Sequence, residues 1–236
     1  MWILKVTWPQ STPIHFTHIC PPILQKMVGC TIGLIYLKSD IDSSKRRIDV
    51  MSNIVVIFSS PRAEGNSCTL GKAVMGGAMG LSMNTIKIHR LNSMYSVRGC
   101  QNCDRCSDGS PCYIEDDIKQ VLEDIKECDS LIISMPMYFN GPCAQFKVLE
   151  DRLFSHMTPD LKPRYPGKKL VIILTHDDKE CDGIADMVMV QLKDVFERKL
   201  GFNIIGTINY RCDRNRNSAA SDKELLDYAT NLGKQL

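Results

Sequence analysis

From Asn53 onward the chain alternates two kinds of apolar pattern. Continuous runs rich in β-branched residues, Asn53–Phe58 (NIVVIF), Ser130–Met135 (SLIISM) and Lys169–Thr175 (KLVIILT), predict strands covered on both faces. Thr85–Leu91 alternates apolar and polar side chains and predicts a further strand, as does Phe202–Asn209. Between them lie segments with helical spacing. Asn66–Leu81 has a helix-compatible composition despite its glycines. Glu115–Glu127 aligns Ile118, Val121, Leu122 and Ile125; Gly141–Phe154 aligns Phe146, Leu149 and Leu153; Ile184–Leu200 aligns Ile184, Val188, Leu192 and Val195. A last helix is expected over Ser221–Leu236 with Ser221 as N-cap. Five alternating strand–helix units predict an α/β fold: three layers, with a doubly wound five-stranded parallel sheet. Ligands of such sheets bind at the carboxyl ends of the strands, so chemistry is sought in the loops that follow them.

Residues 1–50 are unlike the rest. They carry Pro9, Pro13, Pro21 and Pro22, a short apolar run from Met27 to Leu37, and a polar stretch from Lys38 to Asp49. The run is shorter than the roughly 20 residues of a membrane span. It also lies behind too long a lead for an ordinary signal peptide. The expected organisation is therefore an irregular N-terminal extension over 1–50, outside the functional protein, followed by one domain over 51–236. A membrane-surface anchor through Met27–Leu37 is the alternative. The 236 residues have a net charge of +2, and the excess is local to the extension, so no basic field suggests nucleic acid. Eleven cysteines without a secretory leader point to thiols kept reduced for metal binding or redox work, and to a cytoplasmic protein.

Two strand-end loops carry candidate chemistry. After the first strand, Ser59-Ser60-Pro61-Arg62-Ala63-Glu64-Gly65-Asn66-Ser67 leads into a helix N-terminus, whose free N–H groups and dipole favour an anion. Arg62 can add a charged fork. The spacing is neither the P-loop nor the dinucleotide loop and suits a single phosphate; a simple Ser-Pro turn capped by Asn66 or Ser67 is the competing reading. After the third strand, Met135-Pro136-Met137-Tyr138-Phe139-Asn140-Gly141-Pro142 sets an aromatic pair and a glycine where a flat heterocycle can lie, or where a plain turn can pack locally.

Ser60-Pro61-Arg62-x3-Asn66-Ser67 resembles the S-P-R-x3-N-[ST] phosphate loop of the NADPH-dependent FMN reductase group of flavodoxin-like proteins. The resemblance implies Ser60, Arg62, Asn66 and Ser67 as ligands of the FMN phosphate. The second loop resembles the P-x-Y stretch of the same group, which implies Pro136, Met137, Tyr138, Phe139, Asn140 and Gly141 at the flavin ring. The helix that follows, Ala144-Gln-Phe-Lys-Val-Leu-Glu-Asp-Arg152, also matches. Thr175-His176-Asp177-Asp178 departs from the glycine-rich loop that relatives carry after the fourth strand. His176 there is either a donor to the flavin or incidental in a surface turn.

Cys100, Cys103, Cys106 and Cys112 follow the second strand with the spacing C-x2-C-x2-C-x5-C, in a cysteine-rich loop over 92–114. Three readings compete. A structural zinc site usually pairs two separated knuckles, which this single loop lacks. A set of plain thiols is the second. The third is a [4Fe–4S] cluster, for which compact runs of this kind are the usual ligands, with Cys112 closing the same cluster. Residues 51–236 resemble the iron–sulfur flavoproteins of anaerobic prokaryotes, and that resemblance implies FMN and a [4Fe–4S] cluster close together near the interface of a homo-oligomer. The implied activity is electron transfer from a ferredoxin-like donor through the cluster to FMN and on to a small-molecule acceptor. The alternatives are an NAD(P)H-dependent FMN or quinone reductase without a cluster, and a non-catalytic thiol or metal-binding regulator on the same fold. The basic run Arg211–Arg216 is read as a solvated loop or a docking point for an acidic partner.

Overall fold

The computed structural model describes residues 51–80, 83–177 and 179–236. The extension expected over 1–50 lies outside the described residues. Five strands form the parallel sheet: β1 (Asn53–Phe58), β2 (Thr85–Arg90), β3 (Ser130–Tyr138), β4 (Lys169–His176) and β5 (Asn203–Arg211). Their order is β2-β1-β3-β4-β5, with every neighbouring pair parallel. This is the flavodoxin-like doubly wound order, and its switch point falls between β1 and β3.

Side chains of the central strands alternate between two cores, which is why those strands read as unbroken apolar runs. Val55, Ile57, Leu131, Ile133, Ile172 and Leu174 face α2 (Asp117–Glu127), α3 (Ala144–Arg152) and α4 (Asp182–Lys193). Ile54, Val56, Phe58, Ile132, Val171 and Ile173 face α1 (Asn66–Met79) and α5 (Lys223–Gly233). The edge strand β2 has three of its six residues exposed and is tied to α2: Lys87 Nζ pairs with the buried Asp124 at 2.6 Å, and His89 Nε2 lies 2.8 Å from the other carboxylate oxygen.

The differences from expectation lie at element ends. β3 runs three residues past Met135, because Pro136 stays in register with Thr175 of β4 and Met137–Tyr138 pair with a returning arm, Gly141–Pro142. The helix expected from Gly141 therefore begins at Ala144. α4 begins at Asp182 and closes in a wide π turn, Asp194–Lys199, which sets Phe196 between Phe146 and Phe202. Asp222, not Ser221, caps the last helix, its Oδ1 accepting from the Leu225 amide at 3.0 Å.

The glycines of α1 have a packing reason. A Cβ on Gly77 would run into the carbonyl oxygen of Thr230, and one on Gly233 into that of Val74, so α1 and α5 cross in backbone contact. A Cβ on Gly71 would stand 2.7 Å from the Phe58 ring, so α1 also sits low on the sheet. Gly76, on the exposed face, meets nothing. Gly77→Ala is expected to destabilise the domain by roughly 2–3 kcal/mol or more in urea unfolding. Gly76→Ala should be neutral or stabilise it by up to about 1 kcal/mol; equal effects at the two positions would contradict this packing.

Candidate functional site

A recess opens at the carboxyl ends of β1, β3 and β4. Its floor is the loop after β1. Ser134 in the middle of β3 donates its hydroxyl to the Ser67 carbonyl at 2.6 Å, and the Ser59 amide donates to the Ser134 carbonyl at 2.9 Å. These bonds hold the first turn of α1 over the sheet. Two buried thiols bracket the same loop: Cys68 donates to the Arg62 carbonyl and Cys143 to that of Ser59, both at 3.4 Å. Burial pushes both thiols up from their ordinary range, which suits packing rather than reactivity. Gly65 precedes α1, and no side chain caps the helix, so its first-turn N–H groups are left for a ligand.

Of the residues singled out in the two loops, Ser60, Arg62, Asn66, Ser67, Pro136, Met137 and Tyr138 line this recess. Phe139, Asn140 and Gly141 do not. Phe139 and Asn140 form the two-residue turn of the hairpin, at φ 46° and 62°, with the Phe139 ring fully exposed. Asn66 has a second task. Its Nδ2 donates to the Asn215 carbonyl at 2.7 Å and its Oδ1 accepts from the Ala219 amide at 3.0 Å. The amide group is thereby spent on a distant loop, and its backbone N–H remains for an anion.

That clamp brings Arg216 to the recess beside Arg62, a placement not apparent in the sequence. The run Arg211–Arg216 is a turn woven into the site: Arg211 pairs with Asp182 at 2.7 Å and with Asp213 at 2.8 Å. Cys212 donates to the His176 carbonyl at 2.9 Å and to Asp177 Oδ1 at 3.3 Å, and its thiol is pushed up to about 11, chiefly by burial. The surface turn considered for His176 is corrected. The residue is the last of β4, 4% exposed, with Nε2 3.7 Å from Asp182. Two arginines, a helix N-terminus and small hydroxyls fit a phosphate; the half-buried Met137 and the exposed Tyr138 beside them fit an apolar ring.

A second recess is lined by Cys100, Cys103, Cys106 and Cys112 together, with Asp151, Arg152, Phe154 and Ser155 of α3 and the turn after it. The loop is irregular and is held from outside. Asp117 Oδ2 accepts the Tyr95 and Ser96 amides, Asp116 Oδ2 accepts the Arg98 amide, and Arg164 donates to the Gly109 carbonyl. Burial, then the neighbouring thiols Cys112, Cys100 and Cys103, pushes Cys106 up from its ordinary value. Among the described residues no three His, Cys, Asp or Glu side chains are gathered tightly enough for a single metal ion. A cubane asks for a wider set, because each thiolate binds its own iron. The donor chemistry fits a cluster better than a single zinc. α3 spans the two recesses: Cys143 at its start touches the loop after β1, and Arg152 at its end touches Cys112, about 13 Å of helix apart.

The model of the NADPH-dependent FMN reductase family matches residues 52–209. The chain belongs to that family. The expectation of a flavin-dependent oxidoreductase agrees with this membership. Among curated proteins it is 32% identical to an iron–sulfur flavoprotein of Methanocaldococcus jannaschii over 99 residues, 42% of this chain and 50% of that one. It is 26% identical to an iron–sulfur flavoprotein of Archaeoglobus fulgidus over 136 residues, 57% of this chain and 61% of that one. The chain spans about half the length of the curated relatives it matches. Among solved structures it superposes on an NAD(P)H:quinone oxidoreductase from Methanothermobacter marburgensis with a TM-score of 0.61. There the identity is 16%, over 79% of this chain and 96% of that one. An azoreductase from Bacillus anthracis gives 0.60 at 14% identity, over 79% and 100%. These likenesses show the fold. Among the described residues no helix is long and apolar enough to cross a membrane.

Under the cysteine recess, His156 is 7% exposed and packs edge-on against Tyr165. Burial first, then the positive charges of Arg164, Lys168 and Lys126, pulls its pKa down to about 4. The unfolded chain takes up this proton near pH 6.5 and the folded one only near 4, so stability falls as pH drops through that window, by about 3 kcal/mol at pH 4. His156→Gln should flatten this acid-side slope in urea unfolding measured from pH 7 to 4; an unchanged slope would assign it to other groups.

Proposed function

We propose that the chain is an FMN-dependent oxidoreductase of the iron–sulfur flavoprotein type. In this reading it takes electrons from a ferredoxin-like protein and passes them to a small acceptor, and the assembly is a homo-oligomer. The observation that carries the reading is the meeting of all four loop cysteines in one recess, at the far end of the helix whose start touches the phosphate loop. The names of the curated relatives support it.

Ser60, Arg62, Ser67 and the backbone amides of α1 would hold the FMN phosphate, with Arg216 as a second cation. Pro136, Met137 and Tyr138 would bound the flavin ring, and Thr175 to Asp177 would close its other side. Cys100, Cys103, Cys106 and Cys112 would ligate the cluster. When bound, the cluster supplies single electrons and FMN supplies one- or two-electron chemistry. The protein's share is position and charge: Arg62 and Arg216 offset the phosphate, and the low-dielectric floor beneath α1 keeps the recess in shape. A second reading, an NAD(P)H-dependent quinone or FMN reductase without a cluster, is favoured by the fold likeness to quinone reductases and azoreductases.

Anaerobic purification followed by iron, acid-labile sulfide and flavin quantitation separates the two. About four irons and one FMN per chain are expected, with iron lost and FMN retained in Cys103→Ala. Flavin without iron would transfer the function to the cluster-free reductase, and a colourless protein that refuses FMN would remove both readings. Arg62→Ala removes a charge-assisted bond worth roughly 1.5–3 kcal/mol, so FMN affinity measured by fluorescence titration should drop about 10- to 100-fold.

A further inference from the structure

We propose that Arg152 is the positioning residue for the fourth sulfur of the cysteine recess: it holds Cys112 through an N–H···S bond and so sets the potential of the cluster. This rests on the cluster reading above.

Arg152 ends α3 and is 1% exposed. Each part of its guanidinium has an assigned partner. Nη1 donates to the Arg98 carbonyl and to Asp116 Oδ2, both at 2.9 Å, and Nη2 to the Ile114 carbonyl at 3.3 Å. Nε donates to Cys112 Sγ at 3.1 Å. Among the described residues Cys112 alone of the four cysteines receives a side-chain N–H.

The carboxylate shows that this is not the arrangement a plain buried ion pair would choose. An arginine and a carboxylate sealed from water gain most from two parallel N–H···O bonds. Asp116 is wholly buried, yet its Oδ1 has no hydrogen-bond partner among the described residues. The guanidinium is turned so that Nε faces sulfur, and the second carboxylate oxygen is left short. An orphaned buried oxygen is costly. A ligand sulfur that gathers negative charge when the cluster takes up an electron offsets that cost, because the Nε–H then bonds to a growing anion. Hydrogen bonds to ligand sulfurs are among the levers that tune such clusters, and donors of this kind raise the potential.

Lysine at this position keeps the charge but offers a rotating point charge in place of the fixed Nε–H. In anaerobically purified holoprotein, Arg152→Lys is therefore expected to retain the cluster while lowering its midpoint potential in an EPR-monitored titration. Arg152→Met should lower it further and release iron faster to a chelator. A measurement on the unaltered protein stands apart from any folding defect. With arginine labelled by 15N in the guanidinium only, pulsed EPR of the reduced cluster should show a 15N coupling. Wild type that holds iron but shows no such coupling overturns the proposal, as does an Arg152→Lys variant with full iron and an unchanged potential. Wild type without iron overturns the cluster reading itself and this proposal with it, and the iron assay tells the two failures apart.

Discussion

The cysteine loop depends on one buried cation. Between Gly99 and Asp116 the chain has no regular hydrogen-bonded element, so its backbone groups must find partners elsewhere. Arg152 holds the loop at three points, the carbonyls of Arg98 and Ile114 and the thiol of Cys112, and the buried Asp116 neutralises it. A pair of this kind is weak evidence for stability as such. Removing one partner is nevertheless severe, about 3–5 kcal/mol, because the other charge is left buried and alone. The arrangement fixes one conformation of a loop that its own sequence leaves open. That is what the proposed set of four ligands would need before any metal arrives.

The phosphate end is built on a different principle. There the constraint is closeness: Gly71 lets α1 settle on Phe58 and Ser134, and Gly77 and Gly233 let α5 press on α1 from behind. The first turn of α1 is consequently held in place over the strand ends, where its N–H groups point at the recess. Asn66 then joins this turn to the loop after β5, drawing an arginine from 150 positions further along the chain to the recess. α3 connects the two ends. Its first residues lean on the phosphate loop and its last residue holds the thiols, so a single rigid element relates the proposed flavin to the proposed cluster.

The strands, the helices and their alternation were legible because each buried element writes its period into the apolar residues, and the two-sided sheet writes continuous runs. The loop after β1 was legible as a unit because its residues are contiguous. Ends were less so. The hairpin at Phe139–Gly141 moved the start of α3, since strand pairing across Met137 and Tyr138 is a contact between chain segments and leaves no period in either. The same applies to the wide turn closing α4, which answers to the rings of Phe146 and Phe202.

By itself, the sequence determined the fold class, the family and the four candidate thiols, because these depend on local spacing and on short motifs read in order. The tertiary structure alone decided that the thiols share one recess, that His176 is buried, that Arg216 joins Arg62, and that Arg152 lies against Cys112. Each of these pairs residues from separate elements, 40 positions apart in the case of Arg152 and Cys112. The partner of a buried charge is chosen by three-dimensional proximity and desolvation, and neither leaves a mark on the spacing of residues along a chain.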